Sequence, residues 1–574
     1  MLLLELIELF AHGDEDAQTI ASDRIGCIQF VLCELAADRE MSSPSHFFRT
    51  LTAGSLLILA ADTASAAAFD IDRPMDEPTA RAMLNRFGYG ATPASLARAK
   101  TQTPRQYLTL AISDGSRLPA AVSEHIQTLP IAEPLGSVWN RLGLGGSARD
   151  NLADEEAKKA LRQEENQFSS ATIQARLLTM ANADNQPHEA LLSFWLNHFS
   201  IFAPKHLDKI LAWDYSRALE QAMREDSFAA LLRASFYHAA MQTYLDNNQS
   251  TASNSRMAER AAERGKQVGI NENLARELLE LHTLGVDAGY TLKDVQELAR
   301  IITGCGIYSP KMRDQALAQA GATRRDLFLF DPRRHDFGDK TFLGQPFPAG
   351  QGIAEVDRAL HLIATHPATA HRVSLKLAQR FLADDPPPQL VEKMAASFRR
   401  SGGKISATLI PLLESTEFSR SLQQPTKFKE PLDYLLSVSR AACGDMPINN
   451  RLILAASALD MGEAPMMHST PDGYASGEAD WLSPAAMAKR LRLAMGIAAE
   501  RVPMAEGDSE RIGRLKALAE DKKWLMRGTP CTVDAASLER IVGPVSAQTM
   551  DSASRLQAAE RAALLLASPE FMRR

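Results

Sequence analysis

Apolar residues recur along most of this chain at intervals of three and four, the spacing that puts them on one face of an α-helix. The pattern is plain in Thr79-Ala80-Arg81-Ala82-Met83-Leu84-Asn85-Arg86-Phe87, in Leu191, Leu192, Phe194 and Trp195, and in Leu375, Leu377, Ala378, Phe381 and Leu382. It predicts a mainly α, multi-helical globular protein. One stretch departs from it. Leu327-Phe328-Leu329-Phe330 and Lys340-Thr341-Phe342-Leu343-Gly344 carry aromatic and β-forming residues on either side of turn formers, which predicts one small β-hairpin near 327–344. Turn formers or charges break the helical pattern at 143–155, 247–269, 348–352, 384–388 and 467–477. The longest of these, 247–269, reads as a mobile insertion. Leu412-Leu413-Glu414-Ser415 and Leu565-Leu566-Ala567-Ser568 match each other as helix ends followed by a serine cap. A single matching pair with no period is not a solenoid repeat.

The N-terminus follows a different logic. Met41-Ser42-Ser43-Pro44-Ser45-His46-Phe47-Phe48-Arg49 precedes an apolar core at 51–61, and Ala64-Ser65-Ala66 and Ala66-Ala67-Ala68 fit a small-residue cleavage site. Residues 41–68 therefore read as a secretory signal peptide, and 1–40 as an extension upstream of a mis-assigned start. The apolar core is shorter than the ~20 residues a membrane span needs. The expected mature protein is exported, periplasmic or extracellular, with no transmembrane segment. Its parts are an N-terminal helical region at 69–310, a hairpin insertion at 311–350 and a C-terminal helical region at 351–574.

The 574 residues, 45% hydrophobic and 23% charged, are ample for a large core, and the net charge of −7 supplies no positive field for a nucleic acid. Beyond the leader the cysteines are Cys305, Cys443 and Cys531, with neither C-x-x-C nor C-x-x-C-H. Three scattered buried thiols is the reading taken. A Cys443–Cys531 pair is the alternative in an oxidising compartment.

Three segments concentrate polar chemistry. The first is Phe194-Trp195-Leu196-Asn197-His198-Phe199, where Asn197 and His198 flank an aromatic face. The second is 271–285, a predicted helix capped at Asn271 or Asn273 and closed by Gly285, with Leu274, Leu278, Leu281 and Leu284 as its apolar stripe. At ~100° per residue, Glu277 and Glu280 lie ~60° apart and His282 ~140° from Glu277, so the three do not form a simple one-face metal triad. A structural reading pairs Arg276 with Glu280 and sets His282 at the negative helix end. A functional reading turns Glu277 or Glu280 inward to meet His198, His282 or Asn197 in a polar pocket, where two carboxylates at low dielectric supply an acid and a base. Next to this helix, Thr291 and Asp294 form a variant capping box, and the spacing of the loop before them lacks the oxygen donors of a calcium loop. The third segment is His335-Asp336-Phe337-Gly338-Asp339-Lys340-Thr341, in a loop where turn chemistry and function are both open readings. No phosphate cradle, kinase set or G-x-S-x-G elbow accompanies any of them.

Taken together with Gly289-Tyr290-Thr291-Leu292-Lys293-Asp294-Val295, these segments resemble the bacterial domain-of-unknown-function family numbered 1800, from about Ala80 to the C-terminus. Gly88-Tyr89-Gly90, Thr470-Pro471-Asp472-Gly473-Tyr474 and Trp481-Leu482-Ser483-Pro484 resemble its terminal signatures, the latter two suggesting an aromatic loop over a pocket. The resemblance implies an exported helical protein and, as partner, an exported sulfatase-like protein. It implies no reaction. Two functions therefore stand side by side. One is an envelope hydrolase using His198, Glu277, Glu280, His282, His335 and Asp336, with a divalent metal on His198, Glu280 and His335. The other is a non-catalytic binding or assembly protein. Convergence of the three segments around an open cavity favours the first.

Overall fold

In the computed structural model, which describes residues 69–144, 155–309, 312, 314–505, 528–533 and 535–574, the helical periods fold as helices and the protein is mainly α. The leader read over 1–68 lies outside the described residues. Helix α1 (Glu77–Arg86) starts at Asp76, whose carboxylate accepts the Thr79 N–H at 2.9 Å, and carries Glu77 in its first turn and Arg86 in its last. α2 (Glu155–Asn182) is followed by α3 (Gln186–His198), capped by Asn185, then α4 (Asp208–Met223) and α5 (Phe228–Tyr237). α6 (Leu292–Ile301) opens on the anticipated capping box: Asp294 N–H donates to Thr291 Oγ1 at 3.3 Å and Thr291 N–H to Asp294 Oδ2 at 2.8 Å. α7 (Ile353–Ala364), α8 (Pro367–Phe381) and α9 (Pro431–Cys443) follow. Ser415 and Ser568 each accept the N–H three residues on, at 3.0 and 3.1 Å, as their matching motifs predict.

Helix α4 packs on α2, α3 and α5, α5 reaches α7, and α9 lies against α2. Every residue of α9 is buried. A helix enclosed on all sides must satisfy its polar groups internally. Ser439 Oγ accordingly donates to the Leu435 carbonyl at 2.7 Å, and Arg440 donates to the carbonyls of Ala181 and Gly90 at 2.7 and 3.3 Å. Truncating the wholly buried Leu436 to Ala is expected to cost about 2–5 kcal/mol through lost transfer energy and a cavity. Phe87 stacks on Phe381 at 4.7 Å, so the regions 69–310 and 351–574 share one core, and 69–574 forms a single compact unit. Among the described residues no helix is long and apolar enough to cross a membrane.

Three expectations are corrected. The single hairpin is two sheets: β1 (Cys305–Ile307), β2 (Thr323–Arg325) and β3 (Phe328–Phe330) pair antiparallel in the order β1-β3-β2, and β4 (Lys340–Phe342) pairs with β5 (Gln345–Phe347). The decisive turn is Leu343-Gly344, with φ of +49° and +73°, the doubly left-handed backbone that closes a two-residue hairpin. It sends β4 back onto β5 instead of β3. Segment 247–269 is not a loose insertion either. Asn247 is buried and donates to Gln242 Oε1 at 2.7 Å, and Ser255 caps a short helix at Arg256–Ala262, so the polar residues read as turn formers are a buried anchor and a cap. Lastly, Cys443 and Cys531 form a disulfide, leaving Cys305 as the free, buried cysteine among the described residues.

Candidate ligand-binding cavity

Helix α3 ends with its aromatic face inward: Trp195 is fully buried, while Asn197 and His198 line a cavity of about 280 Å³ bounded by α3, α8, the start of α9 and residues 463–476. Asn197 fastens the covering loop. Its Oδ1 accepts the Tyr474 N–H at 2.8 Å and its Nδ2 donates to the Tyr474 carbonyl at 2.9 Å. Gly473 has φ of +74°, and a Cβ there would lie 2.7 Å from Asn197 Oδ1, so only glycine lets the loop approach this closely. The Tyr474 hydroxyl accepts the Ala464 N–H at 3.3 Å, and its ring meets His468 edge-on at 4.8 Å and Trp481 at 6.2 Å. Of the aromatic loop suggested by 470–474 and 481–484, Asp472, Gly473 and Tyr474 line the cavity, while Trp481 only meets the Tyr474 ring and 481–484 stay outside the lining.

The inner wall is ionic. Arg380 donates to both Asp433 oxygens at 2.9 and 2.8 Å and lies 2.8 Å from Glu430, while Arg574 reaches Asp433 at 2.9 Å. Two guanidiniums thus balance two carboxylates, the condition under which buried charge is tolerable. Glu463 is a third buried carboxyl. Burial, reinforced by Glu430 and Asp433, pushes its pKa well above its ordinary value. Lys376 stands apart from this balance. It lines the cavity, and its ammonium makes no hydrogen bond or ion pair with any described residue. Burial, with Arg372 nearby, lowers its pKa to about 8, against the pull of Asp472.

Two of the polar segments meet here. His198 Nε2 donates to the His282 carbonyl at 3.0 Å, leaving Nδ1 buried without a partner, and the two rings lie 6.3 Å apart. Burial holds the His198 pKa well below its usual value, and Lys376 and His282 add to this. His282 is fully buried with both ring nitrogens unpartnered. Burial, then Lys376 and Arg372, lowers its pKa to about 3. Both imidazoles are neutral near pH 7, so His282 does not serve as a cation at a helix end. The predicted helix explains the difference: Asn273–Glu277 is α-helical, but Leu278–His282 widens into a π turn, and Thr283 Oγ1 donates back to the Leu278 carbonyl at 2.5 Å. The wider turn swings His282 into the core and voids the α-helical angles. Arg276 pairs with Glu272 at 3.4 Å instead of with Glu280. Glu277 and Glu280 stay half-buried and do not line the cavity. Burial and the Glu280 charge raise the Glu277 pKa.

The third segment builds a separate knot. His335 Nδ1 donates to the Thr303 carbonyl at 2.8 Å, its Nε2 lies 2.9 Å from Glu355 Oε1, and Lys340 Nζ lies 2.8 Å from the same oxygen. None of these three side chains is more than 1% exposed. Asp336 is gripped by Arg300 at 2.8 and 3.3 Å and by the Gly338 N–H at 2.9 Å; burial works against ionisation, yet these partners hold its pKa down to about 2. Among the described residues no group of three or more His, Cys, Asp or Glu side chains converges as metal ligands. His198, Glu280 and His335 do not form the expected set, because His198 Nε2 is committed to a carbonyl and the His335 nitrogens face Thr303 and Glu355. The sequence reading missed Lys376, Arg380, Asp433 and Glu463. The available signal was Lys376 and Arg380 at i, i+4 amid the apolar positions of α8, and the charge-dense run Lys427-Phe428-Lys429-Glu430 just ahead of Asp433 in α9.

Fold and site define a mainly α protein with a polar cavity roofed by an aromatic loop. Over residues 82–573 the chain matches the family model described as Protein of unknown function (DUF1800), and it belongs to that family. No curated protein and no solved structure matches it.

Proposed function

We propose that this is an exported protein that binds a small anionic ligand in the α3–α8 cavity, with Lys376 supplying the counter-charge and the Asn197-fastened loop covering the bound molecule. One observation carries the reading: a half-buried lysine whose ammonium has no hydrogen-bond or ion-pair partner among the described residues lines a preformed cavity. Desolvating such a cation is costly unless it is paired, and a ligand carboxylate or phosphate would pair it in a charge-assisted bond. Perturbed titrating groups in a cleft are the expected mark of a binding or catalytic site. Binding is preferred to metal-assisted hydrolysis because the proposed His198, Glu280 and His335 ligands do not converge. The Cys443–Cys531 disulfide supports export, since disulfides persist in oxidising compartments.

Native mass spectrometry of the protein isolated from the periplasm tests this. A stoichiometric small-molecule adduct, absent from a folded Lys376→Met variant, is the expected result. An adduct retained in full by the variant contradicts the role of Lys376. An exported sulfatase-like partner, proposed on family resemblance, is tested in the same preparation by affinity capture of the tagged chain from its own envelope.

A further inference from the structure

We propose that a second cavity, of about 400 Å³ and distinct from the first, is a site for an amphiphilic anion: a single carboxylate or phosphate head met by Lys429 and Arg86, with an apolar body against Phe571 and Ile541. The inference rests on charges that have no counterpart. Five cations line this cavity, Arg81, Arg86, Lys429, Arg573 and Arg574, against one carboxylate, Glu570. Arg573 is engaged by Glu478 at 2.6 and 3.0 Å, and Arg574 by Asp433 at 2.9 Å. Glu570 is engaged too, accepting the Ser546 N–H at 2.8 Å and the Thr549 hydroxyl at 3.2 Å.

Arg81 is half-buried, donates to the Arg540 carbonyl at 3.4 Å and has Glu77 and Asp76 as charge neighbours, so Arg86 and Lys429 are left over. Arg86 is 1% exposed, donates to the carbonyls of Leu382 and Ser421 at 2.6 and 3.2 Å, and has no carboxylate partner, while its Nε has no partner at all. Lys429 is 2% exposed. Its ammonium makes no hydrogen bond or ion pair with a described residue and stands 3.9 Å over the Phe571 ring, a contact that offsets only part of a lost hydration shell. Asp433, the nearest balancing charge, is already held by Arg380 and Arg574. An anion entering here would give Lys429 the charge-assisted bond it lacks and bring a counter-charge to Arg86, whose Nη1 and Nη2 are already held by carbonyls. The remaining wall includes Phe69, Ala82, Leu422 and Val542, so a bare inorganic ion would leave most of the cavity unfilled, whereas a short hydrocarbon would cover it. Neither Lys429 nor Arg86 lines the α3–α8 cavity, and the two sites stand or fall separately.

Calorimetric titration of octanoate, 1-octanol and inorganic phosphate into the protein tests the proposal. In a Lys376→Met background, which removes the charge of the first cavity, octanoate is expected to bind once per chain and at least tenfold tighter than either of the others. Lys429→Met, which keeps the side-chain volume and removes the charge, should weaken octanoate at least tenfold. Ala82→Phe, which fills the wall and leaves Lys429 in place, should abolish it and decides the matter if the first variant does not fold. Lys376→Met should leave octanoate binding at this cavity unchanged. Octanol or phosphate binding as tightly as octanoate in the Lys376→Met protein, or loss of octanoate binding in that variant, would each overturn the assignment.

Discussion

Replacing Gly473 by Ala should detach the covering loop from α3. The backbone at Gly473 is left-handed, which costs an L-residue about 1–2 kcal/mol. The new Cβ would lie 2.7 Å from Asn197 Oδ1, so the loop must withdraw and give up the two hydrogen bonds between Asn197 and Tyr474. Each is worth about 1 kcal/mol net. The total of about 3–4 kcal/mol is local, and it should accelerate hydrogen exchange at the Tyr474 amide roughly a hundred- to a thousand-fold, at 1.4 kcal/mol per decade. Exchange mass spectrometry of a peptide spanning 470–476 reads this directly. Gly462 is the control: its φ is +89° and a Cβ there meets nothing within 4 Å, so Gly462→Ala should cost only the left-handed strain and speed nearby exchange about tenfold. An acceleration at Tyr474 below tenfold in Gly473→Ala would refute the claim that Asn197 holds this loop.

Other consequences are open to equally simple measurement. Arg380→Met leaves Asp433 and Glu430 buried beside a single guanidinium and should destabilise by about 3–5 kcal/mol, while the double variant with Asp433→Leu should recover much of the loss; denaturant unfolding of both decides it. Removing the Cys443–Cys531 link, whose sequence separation is 88, should cost about 4–5 kcal/mol by loop entropy, read as a lower unfolding midpoint under reduction. His282, with a folded pKa of about 3 against about 6.5 unfolded, takes up its proton on unfolding anywhere between those values. Its contribution is fully present above pH 6.5 and falls away as pH drops towards 3. Between pH 7 and 5 the wild type should therefore lose about 2 kcal/mol more stability than His282→Leu, and equal losses would show that His282 is not buried neutral.

The helical fold was legible because it rests on a period that survives tertiary packing: the 79–87 stripe, the Thr291 and Asp294 cap and the Ser415 and Ser568 caps all appear where the residues put them. What escaped was set by long-range geometry. Nothing local separates a hairpin joining β3 to β4 from two sheets until the positive φ values of Leu343 and Gly344 turn β4 onto β5. The π turn at 278–282 likewise has no sequence mark, and it alone moves His282 from a helix surface to the core. For the cavity, Asn197, His198 and the 470–474 loop were visible as polar and aromatic clusters. Lys376, Arg380 and Asp433 were not, since a charge inside an amphipathic helix reads as solvent-facing until the opposing wall is known.

The central claim is that the α3–α8 cavity takes a small anion through Lys376. Calorimetric titration of citrate, glucuronate and inorganic phosphate into the wild-type protein and a folded Lys376→Met variant tests it most directly. The account predicts saturable binding of at least one of the three, weakened tenfold or more by the substitution. Absence of binding by all three, or binding that Lys376→Met leaves unchanged, would contradict it.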